Sequence, residues 1–195
     1  MAKQRRIWPH FFERFVLNFR QKHSTLFATL SSPLLHQYIF FPINSTYGIA
    51  TDLRRKFIYT YPRQVVSLYH IFHERVYDQI IKIQGGDIVL NLGANIGAFT
   101  LKACKEVGKE GLVVAVEPVP TNLDLLRRNT RGKTNVIIVP KAVGEYKGTA
   151  RMHLASCNEG HSLVINGGLG YIQVDIDTID NIVAELKLPR VDFIK

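Results

Sequence analysis

One carboxylate and a run of small residues stand at a spacing that suits a nucleoside. The segment DIVLNLGANIGAFT, residues 87–100, carries Asn91, Gly93, Ala94, Asn95 and Gly97 between an apolar stretch, Ile88 to Leu92, and a helical pattern. The segment VVAVEP follows and ends in Glu117 and Pro118, with the acid twenty residues after Gly97. A strand that enters a glycine turn and then a helix presents free N–H groups at the helix start, and small residues let a ligand approach the backbone. An acid at the end of the next strand accepts hydrogen bonds from two ribose hydroxyls. The turn reads G-A-N-I-G and lacks the middle glycine of G-x-G-x-x-G, so a pyrophosphate would press on the backbone where Asn95 stands. This pattern favours a nucleoside cofactor without phosphates, S-adenosylmethionine, over a nicotinamide dinucleotide.

Other reactive side chains are weaker candidates. His70, His73 and Glu74 form H-x-x-H-E, which is not a zincin arrangement; packing explains that helix face better, and no metal is expected. Cys104 and Cys157 are widely spaced and form no C-x-x-C, so neither a disulfide framework nor a zinc site is indicated. A reducing, cytoplasmic location is the default expectation. Cys104 lies in the helix after the glycine turn and is expected to be buried filler. His161 and Ser162 fall in a stretch that reads as an ordinary polar loop; a general base approaching an acceptor hydroxyl from there is the alternative.

The elements that must position these residues follow from periodicity. Strand Ile88–Leu92, helix Gly97–Glu106, strand Leu112–Val116, helix Asn122–Asn129 and strand Val136–Val139 alternate, with Thr121 and Asp124 as a weak capping box. Continuous apolar strands between helices predict an α/β fold with a doubly wound parallel sheet. Extended pieces at Thr149–Leu154 and Tyr171–Val174 bracket a loop with Gly167, Gly168 and Gly170, and a helix Ile179–Leu186 leads to a strand Val191–Ile194. Upstream, Tyr47–Ala50 and Lys56–Tyr61 read as short strands, and the apolar spacing from Val65 to Ile81 predicts a helix.

The 195 residues allow one domain with an appendage, taken as a basic extension over 1–60 and a cofactor-binding domain over 61–195. Residues 1–86 hold 12 Lys/Arg against 4 Asp/Glu, whereas residues 87–195 hold 13 against 12. The positive charge therefore belongs to the N-terminal part, where an anionic surface is the partner to consider. Trp8, Phe11, Phe12, Phe15, Val16 and Phe19 recur at helical spacing there, and packing on the rest of the protein is preferred over membrane docking. No transmembrane segment is expected, since Ser31, Ser32, Pro33, His36 and Gln37 interrupt the apolar stretch Thr25 to Ile43. Nucleic acid is not an expected partner, because no stacking-aromatic motif accompanies the basic residues; an RNA methyltransferase is the reading that would need one.

Four pieces are specific in combination: GDIVLNLGANIGAFTL, AVEPVPTNLDLLRRN, NVIIVPKAVGEYKGTA and VDIDTIDNIVAELKLPRVDFIK. With them residues 85–195 resemble the FkbM family of S-adenosylmethionine-dependent methyltransferases. The resemblance implies a Rossmann-like class I methyltransferase fold and methyl transfer to a hydroxyl of a sugar or small molecule; the helical spacing upstream adds an N-terminal helical extension to it. It also implies that Gly93, Ala94, Asn95 and Gly97 line the methionine and ribose portion. Glu117 would take the ribose hydroxyls, Pro118 would flank the adenine, and Lys141, Ala142 and Val143 would meet its edge. Asn91 stands where the family usually has Asp, which keeps an acceptor for the cofactor's ammonium and loses the charge. No residue is assigned as catalytic. The family pattern continues after V-D-F-I-K with an acidic D-x-E-G segment and further strands, so the domain is expected to be C-terminally incomplete. A catalytically inactive cofactor-binding remnant is the alternative reading.

Overall fold

The computed structural model describes residues 28–29, 38–43, 48–52, 57–61, 64, 67–68, 70–74, 77, 82–156 and 160–195. The chain divides into two compact units, residues 1–65 and 66–195. The amphipathic helix expected around residues 8–19 lies outside the described residues, as does Cys157.

In the first unit, β1 (Ala28–Thr29), β2 (Tyr38–Pro42), β3 (Gly48–Asp52) and β4 (Phe57–Thr60) form an antiparallel sheet in that order. The last two are the strands expected near Tyr47–Ala50 and Lys56–Tyr61. The first two arise in the stretch read only as apolar, where Ile39-Phe40-Phe41 suits a pleated surface. Among its described residues the extension, expected to be helical, forms a sheet. Ala50 opposes Ile58 across β3 and β4, and both are buried.

The second unit carries the site. Of the helix expected over residues 65–81, the described residues show a helical Ser67–Leu68 and a π-helical run His70–Glu74. Next come β5 (Ile88–Leu92), α1 (Ala98–Val107), β6 (Leu112–Val116), α2 (Pro120–Asn129) and β7 (Val136–Val139). Short β8 (Ala142–Val143), hairpin strands β9 (Gly148–Ala155) and β10 (Gly168–Asp177), α3 (Ile179–Glu185) and β11 (Phe193–Ile194) complete it.

The main sheet is all parallel in the order β11-β5-β6-β7. Apart from Asn91 in β5, its strands are apolar because helices cover both faces. Val89 and Val113 pack against Phe99, Ala103, Cys104 and Val107 of α1. Ala115, on the same face, packs against Leu123 and Leu126 of α2. Leu90, Val114, Val116 and Val139 point the other way, toward Ile182 of α3. The fold is thus a doubly wound, Rossmann-like α/β arrangement. Its chain runs outward from β5 to β7 and returns to the other side of β5, which puts a switch point between β5 and β11. A second sheet of order β8-β10-β9 sits after β7, with β8 parallel and β9 antiparallel to β10.

Two details depart from the expected elements. Helix α2 starts on Pro120 with Val119 as its N-cap, and no side chain caps it, so Thr121 and Asp124 do not form a capping box. Proline at the first helical position supplies the start instead, since its missing N–H would have lacked a partner there. Gly97, expected to line the ligand, has φ of 88° and faces α2: a Cβ there would stand 2.6 Å from Leu126 Cδ1. Its small size lets α1 begin against a fully buried leucine.

Replacing Gly97 by Ala is expected to lower the unfolding free energy by about 1–3 kcal/mol through overpacking, in addition to the cost of its left-handed backbone. Gly93→Ala, where a Cβ meets nothing within 4 Å, should lose only the backbone term of about 1–2 kcal/mol. Urea unfolding of both variants checks the order, and a larger loss for Gly93→Ala would remove the packing role assigned to Gly97.

Candidate cofactor-binding site

The site grows from the turn between β5 and α1. Three residues in five adopt left-handed backbone: Gly93 at φ 68°, Asn95 at 51° and Gly97 at 88°. Glycine enters that region without steric cost, and Asn is among the few other residues that tolerate it. The turn is tied to the neighbouring strand by Ala94 N–H, which donates to the Val116 carbonyl at 2.9 Å. Gly97 N–H closes it by donating to the Ala94 carbonyl at 2.9 Å. Gly93 is exposed, with open space where a side chain would stand.

Glu117 holds the turn from the end of β6. It is buried, 4% exposed, and each of its oxygens is engaged. Oε2 accepts from Asn95 N–H at 2.8 Å. Oε1 accepts from Val119 N–H at 3.0 Å and from Asn122 Nδ2 at 3.2 Å. A carboxylate offers about four acceptor positions, so one remains. Glu117 in this arrangement has room for one ribose hydroxyl; a second would have to displace a bond it already makes.

Asn91 is fully buried on the α1 face of β5, where its Nδ2 donates to Thr100 Oγ1 at 2.9 Å. Its Oδ1 has no hydrogen-bond partner among the described residues. A buried acceptor left empty costs about 1–3 kcal/mol, and an ammonium or hydroxyl donor from a ligand would satisfy it. With the exposed Gly93 turn and the remaining acceptor position of Glu117, this set of acceptors fits a nucleoside that carries an amino group.

Pro118 is half-buried, and Ala142 is buried beside Val119 in a cluster with Met152, Val174 and Ile176. The ends of β6 and β7 are thereby brought together. Lys141, expected at the adenine edge, is otherwise engaged: its Nζ donates to Asp177 Oδ2 and to Glu185 Oε2, both at 2.8 Å. Of the residues singled out in the sequence, Asn95 and Glu117 touch directly, Ala94 is bonded to the end of the same strand as Glu117, and Gly97 turns to the helix packing. Among the described residues, no group of three His, Cys, Asp or Glu is placed to hold a metal ion, and no helix is long and apolar enough to cross a membrane.

A model of the methyltransferase FkbM domain matches residues 91–195. The chain belongs to the FkbM methyltransferase family. Among solved structures it is similar to an S-adenosylmethionine-dependent methyltransferase from Aquifex aeolicus at 20% identity, over 45% of this chain and 46% of that one, with a TM-score of 0.35. It is similar to an S-adenosylmethionine-dependent O-methyltransferase from Thermotoga maritima at 21% identity, over 46% of this chain and 31% of that one, with a TM-score of 0.33. A third similarity is to Aeropyrum pernix fibrillarin in complex with S-adenosyl-L-methionine, at 15% identity, over 51% and 54% of the two chains, with a TM-score of 0.35. The chain spans about half or less of these three structures. No match is found among curated proteins.

Several residues of the family's motifs have support roles that spacing alone does not reveal. Asn129, the last residue of L-x-x-N, donates from Nδ2 to the Ile96 carbonyl at 2.7 Å, so α2 holds the far side of the glycine turn. Asp177 of D-T-I-D is fully buried and accepts from Lys141 Nζ, from Thr178 N–H at 2.9 Å and from Asn181 Nδ2 at 2.8 Å. The hydrogen bond from Lys141 is the largest influence holding the Asp177 carboxyl down to about 2. Asp177 thus joins the segment after β7 to the start of α3.

A carboxyl whose folded value is depressed stabilises the fold above its unfolded value near 4, and that contribution is lost as pH falls toward 2. Wild-type thermal stability should therefore drop between about pH 4 and 2, and Asp177→Asn should be less stable at neutral pH with a shallower drop over that window. Thermal unfolding across pH checks this; parallel curves for the two proteins would contradict the role of Asp177.

Proposed function

We propose that residues 66–195 bind S-adenosylmethionine and transfer its methyl group to an oxygen, the acceptor being a hydroxyl of a sugar or small molecule. The observation that carries the reading is the bond from Asn95 N–H to Glu117 Oε2, which joins the glycine turn to the acid at the end of the next strand. In this reading Gly93 and Ala94 border the amino-acid and ribose part, and Asn91 Oδ1 accepts from the ammonium. Glu117 takes a ribose hydroxyl, while Pro118 and Ala142 flank the adenine.

The sulfonium supplies an activated methyl group. The chain's own work is to hold the nucleoside end rigidly, through a turn bonded to both neighbouring elements, so that an acceptor oxygen is presented in line. His161 does not serve as the base, since its Nδ1 already accepts from Ala155 N–H at 3.1 Å. A reducing, cytoplasmic setting suits the buried free thiol of Cys104, whose Sγ contacts Asn135 Oδ1 at 2.8 Å.

Isothermal titration with S-adenosylhomocysteine tests the cofactor claim. Saturable binding is expected, weakened about tenfold or more by Glu117→Ala, which is 1.4 kcal/mol or above. No heat at millimolar ligand would overturn it. Transfer of labelled methyl groups to sugars or polyols is the further expectation. Binding without any transfer would favour a cofactor-binding module that has lost catalysis.

A further inference from the structure

We infer that His161 donates a hydrogen bond from Nε2 to the adenosine part of the cofactor; this rests on the cofactor reading above. The segment that carries His161 is pinned on both sides. His153 and Ser162 exchange backbone hydrogen bonds, His153 N–H to the Ser162 carbonyl at 2.8 Å and Ser162 N–H to the His153 carbonyl at 3.1 Å. Leu163 packs against the cluster of Val119, Ala142 and Met152. Leu163 thus joins the cluster that also holds Val119, which follows β6, and Ala142, which follows β7; in the proposed site these two stretches flank the adenine.

The ring itself is set in one tautomer. Nδ1 accepts from Ala155 N–H, so in the neutral imidazole the proton sits on Nε2. Burial pushes the His161 imidazole below its ordinary value, and the Glu117 carboxylate, close enough to act on it, offsets part of that shift. The ring is accordingly neutral at neutral pH, with a donor at Nε2 and no free lone pair. Among the described residues, Nε2 has no hydrogen-bond partner. An exposed or half-buried donor that shares the field of Glu117 is suited to an acceptor atom of the nucleoside that Glu117 binds. Glu117 has one acceptor position left, and His161 offers the nucleoside a donor of the opposite kind from the neighbouring segment.

Two substitutions separate this role from a structural one. Asn at position 161 keeps an acceptor where Nδ1 stands and removes the Nε2 donor; Gln keeps a donor near Nε2 and removes the Nδ1 acceptor. His161→Asn is expected to weaken S-adenosylhomocysteine and 5′-methylthioadenosine equally, by about three- to tenfold, whereas His161→Gln should stay within about twofold for both. The reverse order, Gln weakened and Asn unchanged, would show that the ring only braces Ala155. A loss for S-adenosylhomocysteine without one for methylthioadenosine would also overturn the inference, because the contact would then lie outside adenosine. Should the Asn variant fail to fold, the Nε2 proton of the wild type decides: it should shift and gain exchange protection on adding S-adenosylhomocysteine, and no change would refute the contact. Failure of the wild type to bind S-adenosylhomocysteine at all would instead remove the cofactor reading.

Discussion

The buried carboxylate of Glu117 is the constraint on which the site depends. A charge taken out of water is costly unless it is hydrogen-bonded, and here three N–H donors surround it. Each donor belongs to a different piece of the structure: Asn95 to the glycine turn, Val119 to the N-cap of α2, Asn122 to the first turn of that helix. The positive end of the α2 dipole adds to their effect. One side chain therefore fixes the turn after β5, the end of β6 and the start of α2 relative to one another. A ligand that binds at the turn is presented with a frame already assembled.

The glycine turn is rigid for reasons that are mostly about packing. Gly97 is small because Leu126 stands where a side chain would go. Asn129 then returns from the end of α2 to hold the Ile96 carbonyl. The turn is thus gripped from Val116, from Glu117 and from α2, and its open face is at Gly93. Beyond β7, the Lys141–Asp177–Glu185 cluster, extended by a 2.6 Å bond from Lys147 Nζ to Glu185, performs the same task for the second sheet and α3. Two buried acids, Glu117 and Asp177, thus tie together the segments that follow β6 and β7.

Much of this was legible in the residues. Apolar runs such as VVAV and VIIV announce parallel strands, and their alternation with helical patterns predicts the doubly wound sheet. The acid at Glu117 was recognisable from its distance to the turn. Its existing partners were not, because a carboxylate that bonds the backbone leaves no periodic mark. For the same reason the spacing around Gly97 does not reveal that a leucine 29 residues later in the chain stands where its side chain would go. Thr121 resembles a cap, but Pro120 beside Val119 starts the helix two residues earlier than Asn122. The pair Ala142–Val143 is too short for a strand pattern, and it pairs only because β10 runs long enough to reach it. His161 reads as part of an ordinary polar loop; the hydrogen bond that occupies its Nδ1 comes from Ala155, six residues earlier, and loop spacing does not predict it.

The claim at the centre of this account is that Glu117 joins the turn to α2 before any ligand arrives. Amide hydrogen exchange of the ligand-free protein tests it most directly. The amides of Asn95 and Val119 should be protected in the wild type. In Glu117→Ala both should lose protection together, while Val113 and Val114 within β6 keep theirs. Unchanged protection at Asn95 and Val119 in that variant would contradict the account.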